Sequence, residues 1–346
     1  MIPLFRPDLR PADFAHVREI LRTGWIAPGR FSKKLEENVA KSLGKRPATA
    51  CASGMTALNL SLRALGVKAG DRVLIPSYTC AAVLQAVRHA GAEPDLMDCD
   101  PGTLNPSPDD ARKARTPKTR AVVLVHASGH PSRVSDFRFL GVPIIEDCAL
   151  AAGAEIDDKP VGSFGDAAVF SFHATKPVCA GAGGLACAKD AKTAAILKDL
   201  TRYDMREDSK LRFSASMSDL TAGLALSQWR RLRSFVQKRR ALASLYRQEL
   251  GASLVEPIDV RGAKPSYHHF LLNVKDAARF IATCRRAGVS CDRPVYKPLH
   301  RYLGLRRPGA EKAWRRWAML PLYPAMTDAQ ARAVPRLVRP ILERSV

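Results

Sequence analysis

The chain has 346 residues, 46% of them hydrophobic and 25% charged, which is enough to bury a sizeable core and to form two domains. No stretch approaches the ~18 consecutive apolar residues of a membrane helix, and MIPLFRPDLRPADF lacks the apolar core of a secretory signal. The eight cysteines are scattered with no Cys-x-x-Cys pair, so free thiols and a cytosolic location are expected rather than a disulfide framework or a zinc site.

The net charge of +22 is uneven. Residues 1–200 carry 26 Lys/Arg against 21 Asp/Glu, and residues 201–346 carry 29 against 12. Nucleic-acid binding is one reading of that surplus. A solvated Arg-rich surface with some attraction for anionic substrates is the plainer one, because no helix-turn-helix, finger or RNA-binding signature accompanies the charge. Nucleic acid is therefore not an expected partner.

In chain order, ATACAS (48–53) reads as a short strand, Gly54 opens a turn, and MTALNLSLRAL follows as a helix. RVLIPS (72–77) is a strand, AAVLQAVRHAG a helix, and EPDLMDCD (93–100) another strand. RAVVLVHAS (120–128), VPIIEDCA (142–149), AAVFSF (167–172) and GLACAK (184–189) continue the series. Strands that are apolar throughout, with helices between them, predict an α/β layered domain around a parallel sheet covered on both faces. After residue 215 the pattern changes. One long helix is expected over 219–250, an extended pair around YHHFLLNV (267–274), a helix at 276–288 and a last helix from about Thr327. The expected division is a large α/β domain over 1–249 and a smaller α+β domain over 250–346.

Ligands of such sheets sit at the carboxyl ends of the strands. Here those ends carry Ser53-Gly54, Ser77-Tyr78, Glu146-Asp147 and Ser171-x-His173-x-x-Lys176. Lys176 closes an apolar strand. A lysine there can act as a nucleophile if it is desolvated or set near another charge, which His173 could supply. By itself it reads equally as a loop lysine. Asp147 ends a strongly apolar strand, where a carboxylate needs a partner. A protonated pyridine nitrogen is one such partner, and a helix cap or an internal salt bridge is another. Ser53-Gly54-Met55-Thr56 joins a strand to a helix N-terminus, which offers N–H groups and partial positive charge to a phosphate. Ser171 could add a hydroxyl. The three parts together, in this order, suit a phosphorylated aldehyde cofactor.

At this point the chain resembles the DegT/DnrJ/EryC1/StrS aminotransferases, pyridoxal-phosphate enzymes of fold type I. The resemblance rests on GWIAPG (24–29), ASGMTALNLSLRALG (52–66), DRVLIPSYT (71–79), IIEDCALAAGA (144–154), VGSFGDAAVFSFHATK (161–176), MSDLTAG (217–223) and LPLYPAMT (320–327). It implies Lys176 as the Schiff-base lysine and proton shuttle, Asp147 as partner of the pyridine nitrogen, and His173 beside the cofactor. It implies Ser53, Gly54, Met55, Thr56 and Ser171 around the phosphate. Tyr78 and Leu150 belong to the cofactor's surroundings. A homodimer and transfer of an amino group, with L-glutamate as donor and a keto-sugar nucleotide or related ketone as acceptor, are implied with it. Arg212, Arg293, Lys297 and His300 are candidates for recognising the substrates' negative charge.

Several positions depart from the family pattern. Met55 replaces the usual Thr, with Thr56 next along. Leu150 replaces a Gln, and Cys80 stands where an aromatic often covers the ring, a part that Tyr78 or His126 could take instead. Gly181-Ala182-Gly183-Gly184 lacks the usual acidic residue, and Ser214-Ala215-Ser216 replaces Asn-Tyr-Arg. These departures leave two rival expectations: another pyridoxal-phosphate reaction such as dehydration or elimination, and a degenerate homologue that only binds the cofactor.

Overall fold

The structure is a computed structural model, and it describes residues 1–345. The chain begins with α1 (Pro11–Thr23) and α2 (Arg30–Ser42), then β1 (Ala48–Cys51), α3 (Gly54–Ala64), β2 (Arg72–Pro76), α4 (Ala81–His89), β3 (Glu93–Met97), α5 (Pro108–Ala114) and β4 (Thr119–Val125). It continues through β5 (Ile144–Asp147), two short strands β6 (Glu155–Ile156) and β7 (Lys159–Pro160), then β8 (Ala167–Ser171), β9 (Gly184–Ala188) and α6 (Ala191–Leu200). The last part comprises α7 (Asp219–Arg230), α8 (Leu232–Leu250), β10 (Ala263–Lys264), β11 (Phe270–Asn273), α9 (Ala277–Arg286), α10 (Leu299–Leu303), α11 (Pro308–Arg316), β12 (Trp317–Leu320) and α12 (Asp328–Glu343).

The seven predicted strands form one sheet in the order β1-β9-β8-β5-β4-β2-β3. β2 pairs parallel with β3 and β4, and β5 pairs parallel with β4 and β8. β9 runs antiparallel to both its neighbours, β1 and β8, so the sheet is mostly rather than wholly parallel. Every other strand therefore ends on the same edge. The apolar runs are explained by burial on both faces: helices α3, α4 and α6 cover one core, and α2 and α7 the other.

The expected single helix over 219–250 is broken at Arg231, which takes φ −98° and ψ 0°. The two halves serve different cores. α7 buries Ala222, Ala225 and Leu226 against α1 and α2. The end of α8 buries Leu242, Ala243 and Tyr246 in a separate cluster with β11, α9, β12 and α12. Arg231 holds the bend by bonding Asp8 at 3.1 Å and Asp13 at 2.5 Å. An uninterrupted apolar spacing cannot reveal such a bend, because it is imposed by tertiary partners.

Of the extended pair expected around 267–274 only β11 lies there; its antiparallel partner is β12 from residues 317–320, with Phe270 opposite Leu320. Thr327 caps α12 and forms a capping box with Gln330, which explains why the helix starts there. At the other end of the chain, Ile2 bridges to Val289, so the first residues cross to the C-terminal core. All eight cysteines are free, and no helix among the described residues is long and apolar enough to cross a membrane.

Candidate active site

The shared strand edge gathers the predicted polar residues. Ser53 is the N-cap of α3 and accepts a hydrogen bond from the Thr56 N–H at 3.0 Å. The first-turn N–H groups of α3 have no partner within the helix. Gly54 is required by contact rather than by φ: a Cβ there would stand 2.8 Å from the Ser171 Cβ. Behind it, a Cβ on Gly184 would come within 2.4 Å of the Ser53–Gly54 backbone. These two glycines bring the end of β8 and the start of β9 tightly against the α3 N-terminus, with the Ser171 side chain at its mouth.

That cradle opens into a cavity of about 320 Å3 lined by Ser53, Gly54, Met55 and Ser171, and also by Asp147 and Lys176. A second cavity of about 290 Å3 carries Tyr78, Leu150, His268, His269 and Arg293. Both share Cys80, Asp147, Ala149, Thr175 and Lys176, so Lys176 and Asp147 stand where the two spaces meet. Lys176 lies in the turn after β8, its N–H bonded to the His173 carbonyl at 2.9 Å. His173 lines the cradle cavity and is exposed, with Nδ1 3.2 Å from the Thr175 hydroxyl.

Asp147 is 8% exposed, and Ala149 N–H is bonded to its Oδ1 at 3.0 Å. Burial pushes its carboxyl above the ordinary range, while the Ala149 N–H and the nearby charges of Lys176 and His126 pull the other way. The carboxylate is thus short of positive partners in the chain itself. Tyr78 is buried, its hydroxyl has no partner among the described residues, and burial pushes its phenol well up. A phosphate cradle, an under-compensated carboxylate and an amine around one space fit a phosphorylated aldehyde with a basic ring nitrogen.

Five expectations are placed differently. His126 cannot cover a ring in either cavity. It is fully buried, with Nε2 3.2 Å from Glu146 and Nδ1 accepting from the Ser132 N–H at 2.9 Å. Thr56 turns its hydroxyl to Ser53 Oγ at 2.8 Å and lines neither cavity. Arg212 is held by Asp199 at 3.1 Å and by Asp208, away from both cavities. His300 is buried between Ser77 Oγ at 2.8 Å and Glu311 at 3.2 Å. Lys297 lies over the Tyr302 ring at 4.4 Å. Of the four substrate candidates only Arg293 reaches the cavity wall, its guanidinium stacked on Trp314 at 4.1 Å.

The structure adds residues that the sequence reading passed over. Phe5 lines the second cavity and stacks on His268 with ring centroids 5.8 Å apart. His269 bonds Ser128 Oγ through Nδ1 at 3.0 Å, and burial, with Lys176 and Arg239 nearby, lowers its pKa to about 3. Burial thus favours the neutral imidazole at the cavity wall. Two adjacent histidines at the head of an apolar strand were the available signal. Glu146, Asp147's neighbour, has a different part. It accepts from the N–H groups of Gly162 (2.8 Å), Phe164 (2.8 Å) and Gly165 (2.6 Å), which explains why GSFG follows where it does.

A family model described as the DegT/DnrJ/EryC1/StrS aminotransferase family matches residues 7–339. The chain is 31% identical to a dTDP-4-dehydro-2,3,6-trideoxy-D-glucose 4-aminotransferase of Saccharopolyspora spinosa, over 96% of this chain and 95% of that one. Among solved structures, the aminotransferase TlmJ of Streptoalloteichus hindustanus is 32% identical with a TM-score of 0.93, covering 99% of each chain. DesV of S. venezuelae is 28% identical with a TM-score of 0.91, over 96% of this chain and 94% of that one. The seven-stranded α/β architecture is that of the fold type I enzymes. With a match running almost from end to end, the chain belongs to the DegT/DnrJ/EryC1/StrS aminotransferase family.

Proposed function

We propose that the protein moves an amino group from an amino acid, L-glutamate first among the candidates, to a keto-sugar nucleotide or a related ketone. The observation that carries this reading is that Lys176 and Asp147 open onto one space with the Gly54–Ser171 cradle at its end. Pyridoxal phosphate is the cofactor of this family, and it supplies an aldehyde for the lysine and an electron sink for the substrate's carbon–hydrogen bond.

The chain's own residues divide the remaining work. The α3 N-terminus, Ser53 and Ser171 hold the phosphate by N–H and O–H donation and by the helix dipole. Asp147 would hold a proton on the ring nitrogen, and its burial cost would be offset by that positive charge. Lys176 Nζ would hold the cofactor's aldehyde and would be the base that takes the proton from the donor's α-carbon. On the acceptor side the same amine runs the reverse transfer. His173 stands beside Lys176 and Arg293 marks the wall available to a negatively charged substrate. Met55 keeps the backbone N–H of the usual Thr, and Leu150 leaves that side of the ring apolar. A homodimer is part of this proposal, as is a division near residue 250, which the separate core of α8, β11, β12 and α12 supports.

The test is an absorption spectrum of the protein with added pyridoxal phosphate, beside Lys176→Ala, followed by L-glutamate. A visible band that is absent in the variant and bleaches with glutamate is the expected result. A band that ignores every amino acid moves the reaction to elimination or dehydration. No band at all leaves a degenerate homologue.

A further inference from the structure

Part of the positive charge left unexplained by the active site lines one concave surface. Over residues 297–316 the chain reads KPLHRYLGLRRPGAEKAWRR, in which Glu311 is the sole carboxylate. This segment, with Lys275 and Arg316, forms an open groove of about 730 Å3 between the start of α9 and the α10–α11 connection. Its wall includes Lys275, Arg306, Arg307, Lys312, Arg315 and Arg316.

Of these cations Glu311 pairs only with Arg315, because Arg301 and His300 take up the rest of its carboxylate. Arg301 binds it in a two-bond fork at 2.9 and 2.6 Å, Arg315 bonds it at 2.6 Å, and His300 Nε2 stands at 3.2 Å. Arg301 holds its carboxyl far below the usual range, against a smaller opposing effect of burial. Arg307 spends its guanidinium on the Leu96 carbonyl and Arg316 on Asn273. Lys275, Arg306 and Lys312 have no carboxylate within salt-bridge distance among the described residues, and all three are exposed. Like charges gathered in a concavity repel one another unless an anion sits among them, and the concave shape focuses their field outward.

The groove is not part of the catalytic space. It shares no lining residue with either cavity around Lys176. Helix α11 stands between the two. Its Ala310 and Ala313 pack into the cluster that holds Tyr78 and Met319, while its Glu311, Lys312 and Arg315 face the groove. One polar thread does pass through the wall: Glu311 to His300, and His300 Nδ1 to Ser77 Oγ at 2.8 Å, next to Tyr78.

We propose that this groove is a second binding site, for a small ligand carrying a chain of phosphates. One unpaired guanidinium and two unpaired ammonium groups on one concave wall match several phosphate oxygens better than a single carboxylate. The ligand is a free polyphosphate or the phosphate chain of a nucleotide, and its seat is the set Lys275, Arg306 and Lys312 with Arg315 at the edge.

The experiment is calorimetric titration of the cofactor-loaded protein at physiological ionic strength, with inorganic triphosphate as one probe and a nucleoside diphosphate as the other. The triple variant Lys275→Ser/Arg306→Ser/Lys312→Ser is compared with Lys113→Ser/Lys118→Ser/Lys192→Ser, which removes the same charge from exposed positions elsewhere. Binding to the wild type and to the control variant, weakened by about 100-fold in the groove variant, is expected from the loss of three charge-assisted contacts. Equal affinity for both probes assigns the site to the phosphate chain, and tighter nucleoside diphosphate assigns it to a nucleotide. Equal weakening in both variants, or no binding of either probe to the wild type, overturns the proposal. So does a single-stranded oligonucleotide that binds through the groove while neither small probe does. The cofactor's visible band, unchanged in all three proteins, shows that the folds are intact.

Discussion

Glu146 and Asp147 are neighbours at the end of β5, both buried, and the chain treats them in opposite ways. Glu146 is 0% exposed and has four partners: three backbone N–H groups and His126. Burial alone would push its carboxyl up, but His126 and those N–H groups more than offset it and leave it low. Asp147 points to the other face of the strand, has one backbone donor, and is pushed up. A buried carboxylate whose bonds are complete is a structural part; one left short of partners beside an open space is waiting for something the chain does not contain. The alternation of a strand separates the two roles by a single residue.

The largest effects sharpen the cavity side of this contrast. Lys176→Ala is expected to lower amino transfer by roughly 10²–10⁴-fold, read as single-turnover rate with bound cofactor. Asp147→Asn removes the charge opposite the ring nitrogen and is expected to cost about 10²–10³-fold in kcat, while the cofactor-free protein melts no lower than the wild type. A large fall in its melting temperature would put Asp147 in Glu146's class.

Glu146→Gln tests the other face. It leaves N–H groups of the Gly162–Gly165 turn poorly satisfied and is expected to cost about 1–3 kcal/mol of stability in urea unfolding. The pH dependence separates the pair. Glu146 has a lowered folded pKa, so its contribution is present above the unfolded value and is lost as pH falls below the ordinary carboxylate range. Asp147 has a raised folded pKa, so its contribution in the cofactor-free protein is present at low pH and is lost as pH rises through and above that range. The glutamine variant should flatten the acid limb of the stability profile, and the asparagine variant the opposite limb. Identical profiles would end the distinction. Gly54→Ala, which drives a methyl into Ser171, is expected to cost about 1–3 kcal/mol and to weaken cofactor affinity measured by fluorescence quenching.

The sheet and the three-part site were legible because they follow from local chemistry. Unbroken apolar runs predict strands covered on both faces, and polar residues at their ends stand out against that background. What stayed hidden depends on partners remote in the chain. Nothing in IIED says which carboxylate will meet the Gly162–Gly165 turn. The break at Arg231 follows from Asp8 and Asp13, more than 200 residues away. Phe5 enters the cavity wall only because Ile2 is bonded beside Val289. Arg212, a candidate by charge alone, is absorbed by Asp199 and Asp208.

That bridge from Ile2 to Val289 also sets an order of events on the ribosome. Asp8 can meet Arg231 once α7 has been made, but Ile2 has nowhere to dock until the strand and helix before Val289 follow. The sheet that carries Asp147 and Lys176 is complete by Ala188 and can assemble during synthesis, whereas the wall with Phe5, His268 and Arg293 must wait for the final third of the chain. A nascent chain stalled before that point would show an open, solvent-filled cradle, and protease would cut its first five residues readily until translation passes Val289.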